Sequence, residues 1–332
     1  MLNPPKQVPS QITEALRQAK NILIVSHVFP DADAIGSQLA LGNILESLGK
    51  DVFYYCEDFV SSMYEFMPGS EQLDNDLPDI SRFDTAVAVD CGDRFRLGHE
   101  VDTLLQIDPF VVIDHHAGHR DFGDISWVEA DRSSTAEMIF DLALALNADI
   151  SYNAAYCLYT AIVSDSGSFK YESTSAYTFH VASHLLNRGV IPSEVASKLF
   201  DNYSVKRLRL LEKVLGSLEL YFEGQIAVIT ATNKMFQESE AEREDTEEFI
   251  NLPRALRSVK VAVFLKETLG GDIKVSLRAK GECNVSQVAL KFGGGGHRNA
   301  AGYRVKDKTL AEVNEELLQE LRRRLKSRWS AD

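Results

Sequence analysis

Val111-Val-Ile-Asp114-His115-His116 is the stretch that decides how this chain folds. Three β-branched apolar residues run straight into an acid and two adjacent imidazoles. An uninterrupted apolar run of this kind predicts a strand buried on both faces. Asp114, His115 and His116 then fall at its carboxyl end, where open α/β sheets place their ligands. Asp-His-His alone is too short to carry a function. The test is whether other acids and histidines fall at equivalent positions.

They do. Asn21-Ile-Leu-Ile-Val-Ser26 is a second short apolar run, followed by His27, a turn at Phe29-Pro30, and Asp31-Ala-Asp33. Helical apolar spacing over 34–48 is closed by Gly49. Residues 52–55 form the next strand, and Thr85-Ala-Val-Ala-Val-Asp90 repeats the pattern of an apolar strand ending in an acid. Residues 133–135 cap a helix reaching Asn147, and a buried helix over 153–164 leads into Asp165-Ser-Gly-Ser168. Alternating strands and helices predict an α/β, doubly wound, mostly parallel sheet over residues 1–190. A helical connector over 191–218 opens at Ile191-Pro192. Beyond it the rhythm changes to strands at 225–230, 259–265 and 273–279, a short helix at 284–292 and a final amphipathic helix. Residues 219–332 therefore read as a smaller second α/β domain. The acidic run 238–248 and the cationic side of the last helix read as solvated faces.

Composition narrows the class. The 332 residues suffice for two domains, and 45% hydrophobic with 25% charged residues is ordinary for a globular chain. No apolar run is long enough to span a membrane, and the amino terminus lacks a signal-peptide core. Cys56, Cys91, Cys157 and Cys283 have no CxxC spacing and read as free thiols in a reducing, cytoplasmic setting. A formal net charge of −14 disfavours long duplex nucleic acid, which needs many cationic contacts. Short oligomers held locally remain compatible with it.

His27, Asp31 and Asp33 together suit a divalent ion that accepts mixed oxygen and nitrogen ligands. Taken singly, Asp33 reads as a helix N-cap, Asp31 as a turn acid and Asp90 as a strand-end carboxylate. Asp165 sits at the end of a helix that is unfavourable for a carboxylate, which calls for a compensating partner such as a metal ion. Adjacent side chains on an extended backbone diverge, so one histidine can ligate while the other faces substrate. Asp114 would then orient an imidazole. Two ions sharing a carboxylate clamp a phosphoryl group and activate water against it. A second signal is Gly293-Gly-Gly-Gly-His297-Arg298-Asn299-Ala-Ala-Gly302. Backbone amides at Gly294, Gly295 and Gly296 can approach an anion closely, with His297, Arg298 and Asn299 beside them. Arg278, at a strand end, is either another phosphate contact or a solvated cation. His99, His119, His180 and His184 lack motif context.

These motifs, in this order, resemble the DHH/DHHA1 phosphoesterases: His27-Val-Phe-Pro-Asp31-Ala-Asp33-Ala-Ile-Gly-Ser, Val-Asp90, Val-Ile-Asp114-His115-His116, Asp165-Ser-Gly-Ser-Phe, and the glycine-rich run. Asp245-Thr-Glu-Glu-Phe-Ile-Asn-Leu-Pro-Arg254 and Lys274-Val-Ser-Leu-Arg278 are similar to the nano-RNase/pAp phosphatase (NrnA-like) branch. Ala32 departs from a common family glycine, and Ala117-Gly118-His119 departs from an Asn-containing turn. The resemblance implies a metal-binding catalytic domain, a substrate-binding domain, and an active site in the cleft between them. It implies two Mn²⁺ ions, with Mg²⁺ or Co²⁺ as substitutes, held by His27, Asp31, Asp33, Asp90, His115 and Asp165, with Asp90 bridging. His116 would touch the scissile phosphate or protonate the leaving oxygen, with Asp114 behind it. His297, Arg298, Asn299 and Arg278 would bind substrate phosphates.

The expectation is a cytoplasmic Mn²⁺-dependent phosphohydrolase. It would degrade very short RNA oligonucleotides to mononucleotides and convert adenosine 3′,5′-bisphosphate to AMP. The alternatives are a cyclic-di-AMP or pApA phosphodiesterase, a RecJ-like single-strand exonuclease, a pyrophosphatase or polyphosphatase, and, from another class, a nucleotide-binding regulator without turnover. Short RNA and small nucleotides would be the partners, without membrane; a homodimer is a family-based expectation.

Overall fold

A computed structural model describes residues 7–58, 60–201, 203–296 and 298–326. The chain divides into two compact units, Met1–Asn202 and Tyr203–Asp332. The division falls inside the stretch 191–218. Helix Pro192–Phe200 belongs to the first unit and helix Val205–Gly216 to the second.

In the first unit, β1 (Asn21–Val25), β2 (Asp51–Tyr55), β3 (Leu73–Asp74), β4 (Thr85–Val89), β5 (Phe110–Asp114) and β6 (Ile125–Val128) form one sheet, ordered β3-β2-β1-β4-β5-β6. Every pairing in it is parallel. Successive side chains leave opposite faces of a strand, which explains the absence of polar residues within these runs. Ile22, Ile24, Val87, Val89, Val111 and Ile113 pack on the side of helices Ala32–Ser47, Thr135–Leu146 and Tyr152–Asp165. Leu23, Val25, Ala86, Ala88 and Val112 enter a second core with Leu97, Val101, Leu104 and Ile107. Each fully buried aliphatic side chain of this size contributes roughly 1.5–3 kcal/mol. Two-sided burial therefore fixes the register of the whole sheet.

The strand order decides where the site lies. From β1 the chain moves outward to β2 and β3, then returns to place β4 on the other side of β1. Connections that diverge in this way open a crevice at the carboxyl ends of the two strands. His27 stands two residues beyond β1, and Asp90 directly follows β4.

The second unit is built on β7 (Glu219–Tyr221), β8 (Ile226–Ala231), β9 (Val261–Glu267), β10 (Ile273–Ala279), β11 (Gly295–Gly296) and β12 (Ala300–Val305). Their order is β11-β12-β10-β9-β8-β7. The β8–β9 pair is parallel and the other pairs are antiparallel. One face packs on helix Leu310–Lys326 through Val313, Leu317 and Leu321. The other packs on Leu210, Val214, Phe236 and Phe249. Ala300-Ala-Gly302, quoted above as the end of the glycine-rich run, belongs to β12. Ala301 and Tyr303 lie in the core beside Val275 and Leu277. All four cysteines are free and buried. Among the described residues, no helix is long and apolar enough to cross a membrane.

Candidate metal centre

The loop after β1 supplies the first three residues. Asp31, not Asp33, is the N-cap of helix Ala32–Ser47, its Oδ1 accepting from the Asp33 and Ala34 amides at 3.0 and 3.1 Å. Asp33 is freed from capping and turns inward. It accepts from the Thr135 amide at 2.7 Å, the Ala136 amide at 3.1 Å and the Ser37 hydroxyl at 3.1 Å. Its carboxylate thus sits on the amino end of helix Thr135–Leu146, the end that favours negative charge.

Around Asp90 the remaining residues converge. His27 Nε2 lies 3.6 Å from Asp90 Oδ2 and 4.0 Å from Asp31 Oδ2. His115 Nε2 lies 3.5 Å from Asp90 Oδ1, 3.7 Å from Asp33 Oδ2 and 3.3 Å from Asp165 Oδ2. Potential donor atoms fall into three overlapping groups: His27, Asp31 and Asp90; Asp90, His115 and His116; and Asp33, His115 and Asp165. Asp90 and His115 each belong to two of them.

The two histidines do not diverge as an extended backbone would dictate. β5 ends at Asp114, so His115 and His116 lie outside the strand. His116 Nδ1 is 2.6 Å from Asp114 Oδ1 and 3.7 Å from Asp90 Oδ1, so both imidazoles face Asp90. Asp114 is fully buried and accepts from His116 and, at 2.7 Å, from His119 Nδ1. His115 Nδ1 donates to the Arg132 carbonyl at 3.3 Å, which leaves Nε2 as the nitrogen facing the acids. Arg132 is itself held by Glu137 and Asp141 and lies over the Tyr177 ring.

Backbone strain concentrates here. Phe29, Asp90, Ser168 and Phe169 all have positive φ, at 54°, 56°, 59° and 62°. Non-glycine residues enter that region rarely, and bulky ones least of all. Asp165 is the last residue of its helix, and the left-handed turn that follows fixes where that carboxylate points.

The electrostatics are those of too many carboxylates in a dry space. Burial pushes Asp33 well above the usual carboxylate range, reinforced by Asp90 and Asp165. Burial also lifts Asp165 to about 7. Burial opposes ionisation of Asp90, but the His27 hydrogen bond and the His116 and His115 charges prevail and lower it. His115 rises to about 9, burial being outweighed by Asp165, Asp90 and Asp33. Carboxylate oxygens and imidazole nitrogens packed this closely, with charge left uncompensated, are what a divalent ion of mixed oxygen and nitrogen preference requires.

In the second unit, Arg278 pairs with Ala300 across β10 and β12, and the Ala279 amide donates to the Asn299 carbonyl at 2.8 Å. Arg278, Arg298 and Asn299 therefore share one end of the sheet, with Arg298 and Asn299 exposed. His297 lies outside the described residues. A Cβ on Gly294 would run into the Gly302 carbonyl and Tyr303, and one on Gly296 into Ala300 and Ala301. Close backbone packing thus accounts for these two glycines, while Gly295 is exposed and open.

Some residues of both units escaped the sequence reading. Thr135, Arg132 and Arg96 hold the clustered acids and histidines through contacts distant in sequence, and His119 holds Asp114; Arg96 Nη2 lies 2.8 Å from His27 Nδ1. The spacing of His119 five residues after Asp114 was the one local signal. Lys266, Lys274 and Arg304 stand in register across β9, β10 and β12. Burial, then Lys274, lowers Lys266 to about 8; burial, then Arg304, lowers Lys274.

Residues 21–162 match the DHH family, N-terminal domain, and residues 224–327 match the DHHA1 domain. The chain is 31% identical over 316 residues to the bifunctional oligoribonuclease and PAP phosphatase NrnA of Thermus thermophilus, covering 95% of this chain and 93% of that protein. It superposes with TM-score 0.89 on the crystal structure of an exopolyphosphatase-related protein from Bacteroides fragilis, at 31% identity, covering 96% and 97% of the two chains. A RecJ structure from Thermus thermophilus in complex with Mn²⁺ shares the fold, at TM-score 0.59 and 16% identity, over 96% of this chain and 56% of that one.

Proposed function

This chain belongs to the DHH/DHHA1 phosphoesterase family, and from that premise we propose that it is a metal-dependent phosphohydrolase of short RNA oligonucleotides and of adenosine 3′,5′-bisphosphate. One observation carries the reading. Asp90, at the crevice between β1 and β4, has His27, His115 and His116 all within 3.7 Å.

His27, Asp31, Asp33, Asp90, His115 and Asp165 would hold two Mn²⁺ ions, with Asp90 as the residue shared between them. Bound there, the ions supply charge against the phosphoryl oxygens and acidify water. The chain's own groups do the rest. Arg132 and Thr135 fix the directions of His115, Asp33 and Asp90. Asp114 grips His116 through Nδ1; burial opposes the charged imidazole, but that bond together with the Asp90 and Asp114 charges prevails and raises its pKa. His116 is thereby biased towards its protonated form, and in this reading it donates from Nε2 to the leaving oxygen. For the second unit by itself, we assign anion capture to Arg278, Arg298, Asn299 and the exposed Gly295-Gly296 segment, together with His297; the Gly294 amide is not available for it, because it donates to the Ala289 carbonyl at 2.8 Å.

The experiment is side-by-side turnover, with Mn²⁺, of a labelled RNA trimer, adenosine 3′,5′-bisphosphate, cyclic-di-AMP and pyrophosphate. Release of mononucleotides and AMP is expected. Turnover of pyrophosphate or the cyclic dinucleotide alone rejects the assignment.

A further inference from the structure

Phe29 lies between two residues of the candidate centre, His27 and Asp31, and its side chain is 79% exposed. Its backbone is left-handed, φ 54°, a conformation a bulky residue adopts only when its surroundings impose it. The surroundings are visible. The Val28 amide donates to the Arg96 carbonyl at 2.7 Å, and the Phe29 amide donates to Asp58 Oδ2 at 2.7 Å. Two hydrogen bonds thus hold a large apolar ring in water, with strain and without burial to compensate.

The segment bonded to Val28 carries a second such ring. Phe95, adjacent to Arg96, is 68% exposed, and the Arg94 guanidinium lies 5.0 Å from its centroid. Two exposed aromatic rings, one with a cation against it, therefore lie on two segments that each meet His27 and are tied by one backbone hydrogen bond. Exposed aromatic rings with arginine are the sequence-tolerant means of holding an unpaired nucleobase.

We propose that Phe29, with Phe95 on the segment bonded to its own, is a stacking platform for a base of the substrate, so that the centre selects phosphoesters bearing an aromatic ring over base-free phosphates. The proposal rests on the phosphohydrolase reading above and adds what confers the preference for nucleotides.

The test compares kcat/KM, with Mn²⁺ present, for an RNA trimer and for the same trimer carrying one abasic ribose, placed at each position in turn. For the wild type, one placement should lower kcat/KM by about tenfold. Phe29→Ala should abolish that discrimination by losing rate on the base-bearing trimer, and Phe29→Trp should retain it. Phe29→Gly, which relieves the left-handed strain, should melt at or above the wild-type temperature while losing the same discrimination; a residue kept for structure would melt lower. Undiminished discrimination in Phe29→Ala overturns the platform and leaves the phosphohydrolase standing. A change of oligomeric state in Phe29→Ala without loss of discrimination also overturns it, assigning the ring to a protein contact. Failure of the wild type to cleave any base-bearing substrate removes both readings together.

Discussion

Thr135 donates its hydroxyl to Asp90 Oδ1 at 2.9 Å while its own amide holds Asp33 Oδ2 at 2.7 Å. One residue at a helix start therefore sets the separation of two carboxylates that arise from different loops. Thr135→Val keeps the shape and the amide but removes the hydroxyl. We expect Mn²⁺ affinity of the EDTA-stripped protein to fall about tenfold, as for loss of a group orienting a ligand. Thr135→Ser should restore it. Calorimetric titration checks both, and equal affinity for Val and Thr would show that the hydroxyl orients nothing.

Asp33 is opposed in its ionisation by burial and by Asp90 and Asp165. A raised carboxylate pKa means that the folded, metal-free protein prefers the neutral acid, so this destabilisation develops as pH rises above the ordinary value of 3.8. Asp33→Asn keeps an acceptor oxygen for one of the Thr135 and Ala136 amides, which meet different oxygens of the carboxylate, and removes the buried charge whose relief offsets the lost bond. At neutral pH the stripped variant should melt no lower than wild type, whereas Mn²⁺ should raise the melting temperature of the wild type alone. A variant that still responds fully to Mn²⁺ would remove Asp33 from the ligand set.

Like charges directly opposite one another across strands are unfavourable, yet Lys266, Lys274 and Arg304 occupy one such row. Replacing the middle cation should both relax the fold and weaken anion capture. Lys274→Met should raise the melting temperature of the second unit, gaining on the order of 0.5 kcal/mol. It should also reduce the slope of log KM for an RNA trimer against log salt by about 0.7, one phosphate contact. An unchanged slope would confine the row to a structural role.

Glu320 is buried on the last helix and bound by Lys291, Arg323 and Arg324 at 2.6, 3.0 and 2.8 Å. Its hydrogen bond to Arg323, reinforced by those to Lys291 and Arg324, outweighs burial and lowers its pKa from 4.5 to about 2. A lowered acid contributes stability that is fully present above 4.5 and is lost as pH falls towards 2. Glu320→Gln should cost about 2 kcal/mol at neutral pH. Its deficit relative to wild type should vanish across that acid window, as read by denaturant titration at stepped pH. A deficit constant with pH would mean that shape, not charge, holds this helix.

Much of the first unit was legible because its information is local. His27, Asp31 and Asp33 lie within seven residues, and the apolar runs before Asp90 and Asp114 name their own strand ends. What stayed hidden depends on neighbours far apart in the chain. Thr135 reads as one more helix-capping residue until the fold brings it to Asp33, 102 positions away. Arg96 is an ordinary cation until it meets His27, 69 positions away. The divergence expected of His115 and His116 failed because β5 stops at Asp114, before either histidine. β12 was missed because Ala-Ala-Gly has weak strand propensity, and only pairing with β10 makes it a strand. The cationic row has no linear signature; it exists only through strand register.

The adjacency of β1 and β4 has a consequence for how this scaffold can change. Hydrogen-bonded strands are about 4.8 Å apart, so the spacing of the strand ends that lead into His27 and Asp90 is inherited from the lattice of the sheet. Grafting new loops around this rim would vary which molecules are admitted while leaving that built-in ruler untouched. A laboratory seeking altered selectivity should diversify 28–30 and 93–95, sparing Arg96, whose side chain meets His27, and leave the strands alone.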